Sequence, residues 1–111
     1  MGKVEKVKEL AEKGKVSKLV KLTQDRDVDV AAAAFEALGN FDTQEARETL
    51  QNAIRDPEAK IRMAIAKAFQ KIGDDHISEA LHHQFLKETD PALKLEFEKA
   101  MDFCRTRRFG S

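Results

Sequence analysis

The sequence predicts an all-α fold, a right-handed α-solenoid of stacked antiparallel helix pairs. Three observations point there. Apolar residues recur at three- and four-residue spacing along the chain, and no segment alternates with the period of two that a half-buried strand requires. Two prolines and five glycines in 111 residues leave few breaks, as long helices joined by short turns demand. The apolar pattern also repeats. At an offset of 31, Asp25 meets Asp56, Val30 meets Ile61, Ala34 meets Ile65, Ala37 meets Ala68, Leu38 meets Phe69 and Phe41 meets Ile72. A period of that size marks a stacked repeat, whose units bury their apolar faces only against neighbours.

The elements follow in order from this register. Val7 and Leu10 stand one period before Leu38 and Phe41, so the chain opens in mid-repeat, with a half repeat over residues 1–14. Leu19, Leu50 and Leu81 keep the interval in the first helix of each later pair. A third copy carries one extra residue, and Leu93, Phe97, Ala100, Met101 and Cys104 follow at an offset of 32. The single domain therefore divides into repeats over 15–42, 43–74 and 75–106 with a tail over 107–111, about three and a half repeats in all. Helices are expected near 3–13, 16–24, 28–39, 43–55, 57–72, 75–88 and 91–106.

Local signals support these boundaries. Asp56 before Pro57 reads as a helix start, since the carboxylate accepts from orphan amides and proline suits the first helical position. Asp90 before Pro91 looks alike, but the core register pairs Asp90 with Glu58. Asp42 with Glu45 resembles a capping box. Gly39 and Gly73 read as stops. In the middle copy Ile61, Ala64, Ile65, Ala68, Phe69 and Ile72 form one apolar helix face, with Ala68, Phe69 and Ile72 expected at the centre of the core.

The run from Asp56 to Asp74 resembles the short HEAT-like repeat of the phycobilin-lyase type. It has an aspartate, the Ile61-Arg62 pair, alanines at 64, 66 and 68, and Gly73-Asp74 at the end. The resemblance is strongest in the middle copy and weakest in the last, and Ala31 replaces the arginine in the first. It implies an inter-repeat ladder to which Asp56 and Arg62 contribute. It also brings two alternative functions: a lyase-type or accessory role, and nucleic-acid binding of the kind seen in HEAT-like DNA glycosylases.

Composition weighs on these alternatives. Twenty basic and 20 acidic residues leave no net charge, and phenylalanine is the sole aromatic besides histidine, which argues against nucleic acid. No stretch is apolar enough to span a membrane. One cysteine and no charged-then-apolar leader lead us to expect a cytoplasmic protein.

Residues able to do chemistry have structural readings close at hand. On one helix His76 and His83 share a face while His82 and His83 point about 100° apart; all three read as solvated, so no metal and no cofactor are expected. Cys104 falls on the core positions of Phe41 and Ile72. Asp74, Asp75 and the acids from Asp25 to Asp29 read as caps at turns. Arg105, Arg107 and Arg108 read as complements to the carboxyl end of the last helix. The seven lysines and three glutamates of residues 1–21 read as solvated faces. No catalytic constellation is visible, and the chain is expected not to be an enzyme.

What distinguishes the copies is the side of each second helix away from the core. It carries Asp29, Ala32 and Glu36 in the first copy. In the second and third it carries Lys60, Met63, Lys67 and Lys71, then Leu95, Lys99 and Asp102. Stacked pairs use this side as a concave binding surface. The expected function is an adaptor that binds a protein or peptide, such as an acidic amphipathic segment. Met63 and Leu95 would serve as apolar anchors, and Lys60, Lys67, Lys71 and Lys99 as guides. Glu96 and Glu98, at positions that hold alanine or phenylalanine earlier, read as the polar outer face of a last repeat.

Overall fold

The second helix of each repeat begins at one register position. Asp27 caps the first, its carboxylate accepting from the Asp29 amide. Glu58 stands at that position in the middle copy, and Asp90, accepting from Ala92 at 3.0 Å, in the last. The core register that paired Asp90 with Glu58 is thus the one the backbone follows. The computed structural model describes the backbone of residues 2–110 and the side-chain surroundings of residues 2–107. Over that range run α1 (Lys3–Glu12), α2 (Val16–Leu22), α3 (Val28–Leu38), α4 (Gln44–Asn52), α5 (Ala59–Ile72), α6 (Ser78–Lys87) and α7 (Pro91–Gly110). No strand occurs among the described residues.

The ends differ from expectation where side chains take the backbone's hydrogen bonds. Asp56 and Pro57 form a turn before α5, in which the Asp56 carboxylate accepts from the Glu58 amide at 2.9 Å. Thr43, not Asp42, caps α4, its hydroxyl accepting from Ala46 at 3.1 Å. Asp74 holds a turn by accepting from the His76 amide, which delays α6 to Ser78. The last helix runs on to Gly110, into the segment expected as a tail. Between α1 and α2, Gly14 adopts φ +68°, and the Lys15 amide bonds the Leu10 carbonyl five residues back. That left-handed residue is what lets the chain reverse there.

Packing sorts the helices into two layers. In one, α1 lies on α3, α3 on α5 and α5 on α7; α2, α4 and α6 cover the other side. The slab measures 40 × 32 × 19 Å, and 19 Å is the thickness of two helices. Between the layers Leu19, Leu38, Leu50, Ile65, Phe69, Leu81, Leu93, Phe97 and Cys104 are fully buried. Gly39 and Gly73 do more than end helices. A Cβ on Gly39 would lie 2.7 Å from the Ala68 Cα, and one on Gly73 would lie 2.7 Å from the Cys104 sulfur. Both glycines admit close approach of neighbouring elements.

Candidate binding surface

Two hydrogen bonds define the free face of the α1–α3–α5–α7 layer. Lys60 pairs with Asp29, and Lys71 donates to the Asn40 side chain at 3.1 Å. Each joins residues 31 apart, the same register position in successive repeats. The face away from the core is therefore continuous from α3 to α5. The Asp29 carboxylate raises the affinity of the Lys60 ammonium for its proton. Both groups of the Lys60 pair are exposed, so it contributes little to stability.

Of the remaining residues expected here, Lys67 and Lys99 are exposed, and the Lys99 ammonium stands 3.5 Å from Glu96. Met63 and Leu95 share one position with Ala32. Ala32 is buried, Met63 is half-buried against the core, and Leu95 is 47% exposed. That gradient follows the neighbours: α5 lies beyond α3 and α7 beyond α5, while no described element covers that side of α7. The position borders the seams between repeats. A groove that the sequence did not reveal opens on the same layer between α1 and α3, with a volume of about 500 Å³.

The ladder is built differently from its sequence expectation. Arg62 does not meet the Asp56 carboxylate; it donates to the Asp56 and Pro57 carbonyl oxygens at 2.7 and 3.0 Å. Its charged partner is Glu88, with Nε–Oε2 at 2.7 Å and the second contact at 3.2 Å. Glu88 is buried and also accepts from Gln84 at 2.8 Å. The reason is the register. Glu88 stands 32 residues after Asp56, as Asp90 does after Glu58, so it holds the acidic position of the next repeat. The arginine thus reaches forward across a junction. At the first junction Lys3 of α1 does the same to Asp25, at 3.0 Å. Ala31 leaves the junction between them without such an arm.

Glu96 likewise departs from expectation. It is half-buried in the seam between α5 and α7, where the Gln70 amide donates to its carboxylate at 2.8 Å. That hydrogen bond holds the Glu96 carboxyl below its ordinary range. Glu98 is exposed. Arg107 neither faces solvent alone nor caps its own helix. It bonds the Gly73 carbonyl at 3.2 Å and Asp42 at 2.9 Å, tying α7 to the turn after α3. Asp42, also paired with Arg47, has its carboxyl drawn below the usual range chiefly by Arg107. Arg105 pairs with Asp102 one turn earlier, and the side chain of Arg108 lies outside the described residues.

Cys104 is a packing residue, with burial pushing its thiol up to about 11. His82 stacks on Phe85, and His83 lines a cavity of about 350 Å³ between α4 and α6. Among the described residues no three or more histidines, cysteines and carboxylates gather as a metal would require. No described helix is long and apolar enough to cross a membrane.

Comparison with known proteins places this geometry. A family model for HEAT repeats matches residues 16–102, which takes in α2 to α6 and much of α7. No curated protein and no solved structure matches the chain. With paired helices in two layers, a 31-residue register and this match over most of its length, the chain belongs to the HEAT-repeat family.

Proposed function

We propose that the protein is a non-enzymatic adaptor that holds a protein or peptide segment against the free face of the α1–α3–α5–α7 layer. The observation that carries the reading is Leu95, a large apolar side chain 47% exposed on a face that also bears Lys60, Lys67, Lys71 and Lys99. Exposed apolar surface gains about 25 cal/mol per Å² when a partner covers it. Lysines around it speed encounter with an acidic segment and fix its register more than they add affinity. Lys60, Lys71 and Lys99 are already held by Asp29, Asn40 and Glu96, which leaves Lys67 best placed to contact a ligand. Membership of the HEAT family supports the reading, because stacked helix pairs offer extended surfaces for recognition.

The test is a double variant, Lys67→Glu with Leu95→Ser. Both positions are exposed, so the melting temperature should stay where it is, whereas Met63 packs on the core and is a poorer target. Proteins captured from lysate by the wild type and identified by mass spectrometry should be lost from the variant. An unchanged set of captured proteins would overturn this placement of the binding face.

A further inference from the structure

Successive second helices share one register, so the seams between them compare position by position. On the α3 side of the α3–α5 seam stand Phe35 and, one turn later, Gly39. Phe35 is buried, and Gly39 brings the backbones together at Ala68. Thirty-one residues earlier, α1 carries Val4 and Lys8 at these positions, opposite Ala33 and Ala37. Valine is smaller than phenylalanine, and a residue with a Cβ does not admit the approach that glycine allows. The outcome is visible in burial. Ala64 and Ala68 are covered, whereas Ala33 and Ala37 are half-buried and Val4 is 46% exposed. The seam that is closed between α3 and α5 is open between α1 and α3, as the groove of about 500 Å³.

The groove has a direction. The Lys3–Asp25 pair sets the start of α1 beside the start of α3, so the two helices run the same way. Glu5 of α1 and Glu36 of α3, 31 residues apart, stand at one register position, while Lys8 and Lys71 line the wall one turn further toward the carboxyl ends. With the acids at one register and the cations one turn beyond, the groove suits an apolar side chain followed, one turn later and clear of Glu5 and Glu36, by a carboxylate.

Resting on the adaptor reading, we infer that this groove seats an acidic amphipathic helix of a partner protein. One large apolar side chain takes the space corresponding to that of Phe35 in the next seam, and a carboxylate one turn away reaches Lys8 and displaces the Asn40 side chain from Lys71.

The experiment measures fluorescence anisotropy with a labelled synthetic peptide of about 16 residues, long enough to hold a helix. It carries one phenylalanine, with glutamates three and four positions later; a control has alanine in place of the phenylalanine. The full-length wild type should bind the phenylalanine peptide at least about 10-fold more tightly than the control. Ala37→Leu, which fills the groove, and Val4→Asp, at its exposed wall, should each weaken binding at least about 10-fold with the melting temperature maintained. A Glu79→Gln variant, on the exposed side of α6 in the other layer, should bind as the wild type does. Equal affinity for the two peptides, or undiminished binding by both groove variants, overturns the proposal. So does a wild type that binds a fluorescent fatty acid in the groove and no peptide. Loss of peptide binding in Lys67→Glu/Leu95→Ser alone would move docking to α5 and α7, ending the groove proposal while the adaptor reading stands.

Discussion

Arg62 shows how one side chain joins two repeats. Its guanidinium spans the carbonyls ahead of its own helix and the carboxylate that ends α6, and Gln84 completes the shell of Glu88. Removing one member of a buried pair leaves the other charged and desolvated, which is worse than removing both. We predict that Arg62→Ala lowers stability by about 3 kcal/mol in urea unfolding. The paired Arg62→Met/Glu88→Leu variant should recover most of that loss. A cost for Arg62→Ala below about 1 kcal/mol would show that the pair is dispensable. The sequence pointed to this arginine and to a ladder, yet named the wrong acid. The helical face of Arg62 is a local property, whereas its partner depends on how the next repeat is docked.

Between elements, distances decide what propensity leaves open. Gly39 closes α3 with right-handed dihedrals, φ −65°, so propensity alone would favour alanine there by up to about 1 kcal/mol. A Cβ would meet the Ala68 Cα at 2.7 Å and its Cβ at 2.9 Å, and backbone does not move aside as a flexible side chain does. Overpacking costs about 1–3 kcal/mol and outweighs the gain. Gly39→Ala should therefore lower the midpoint of thermal unfolding. A rise would mean that α3 and α5 separate easily. The same contact explains why the groove lies beside α1: Lys8 occupies the register of Gly39. Read as a helix stop, Gly39 hid this role, because a stop and a close approach call for the same residue.

At the scale of the whole molecule, three depressed carboxyls tie distant segments. Asp42 is bound by Arg107 of α7 and Asp25 by the Asp27 amide and Lys3 of α1, while Glu96 is bound by Gln70 of α5. In each case the folded state holds its proton less firmly than the unfolded chain. The stabilisation is therefore complete above the ordinary carboxylate range and is lost as pH falls through the lowered values. We predict a melting temperature nearly level from neutral pH to about 5 that falls below about pH 4. Asp42→Asn should be less stable than the wild type at neutral pH and should lose less on acidification. An identical acid dependence in the two proteins would show that the Arg107 clasp does not couple α7 to the rest.

The all-α class, the order of helices, the core face and the 31-residue register were legible in the sequence, because helical period and repeat spacing are properties of the chain itself. The rungs to Asp29 and Asn40 locate Lys60 and Lys71 of the expected surface in space. Tertiary structure alone decided that Glu88 answers Arg62, that Glu96 enters a seam, that Arg107 clasps Asp42, and that the α1–α3 seam stays open. Each of these depends on the separation and alignment of helices that are far apart in sequence. A few ångströms between them, set by a glycine or a lysine at one register position, decide whether two surfaces fuse or leave a groove.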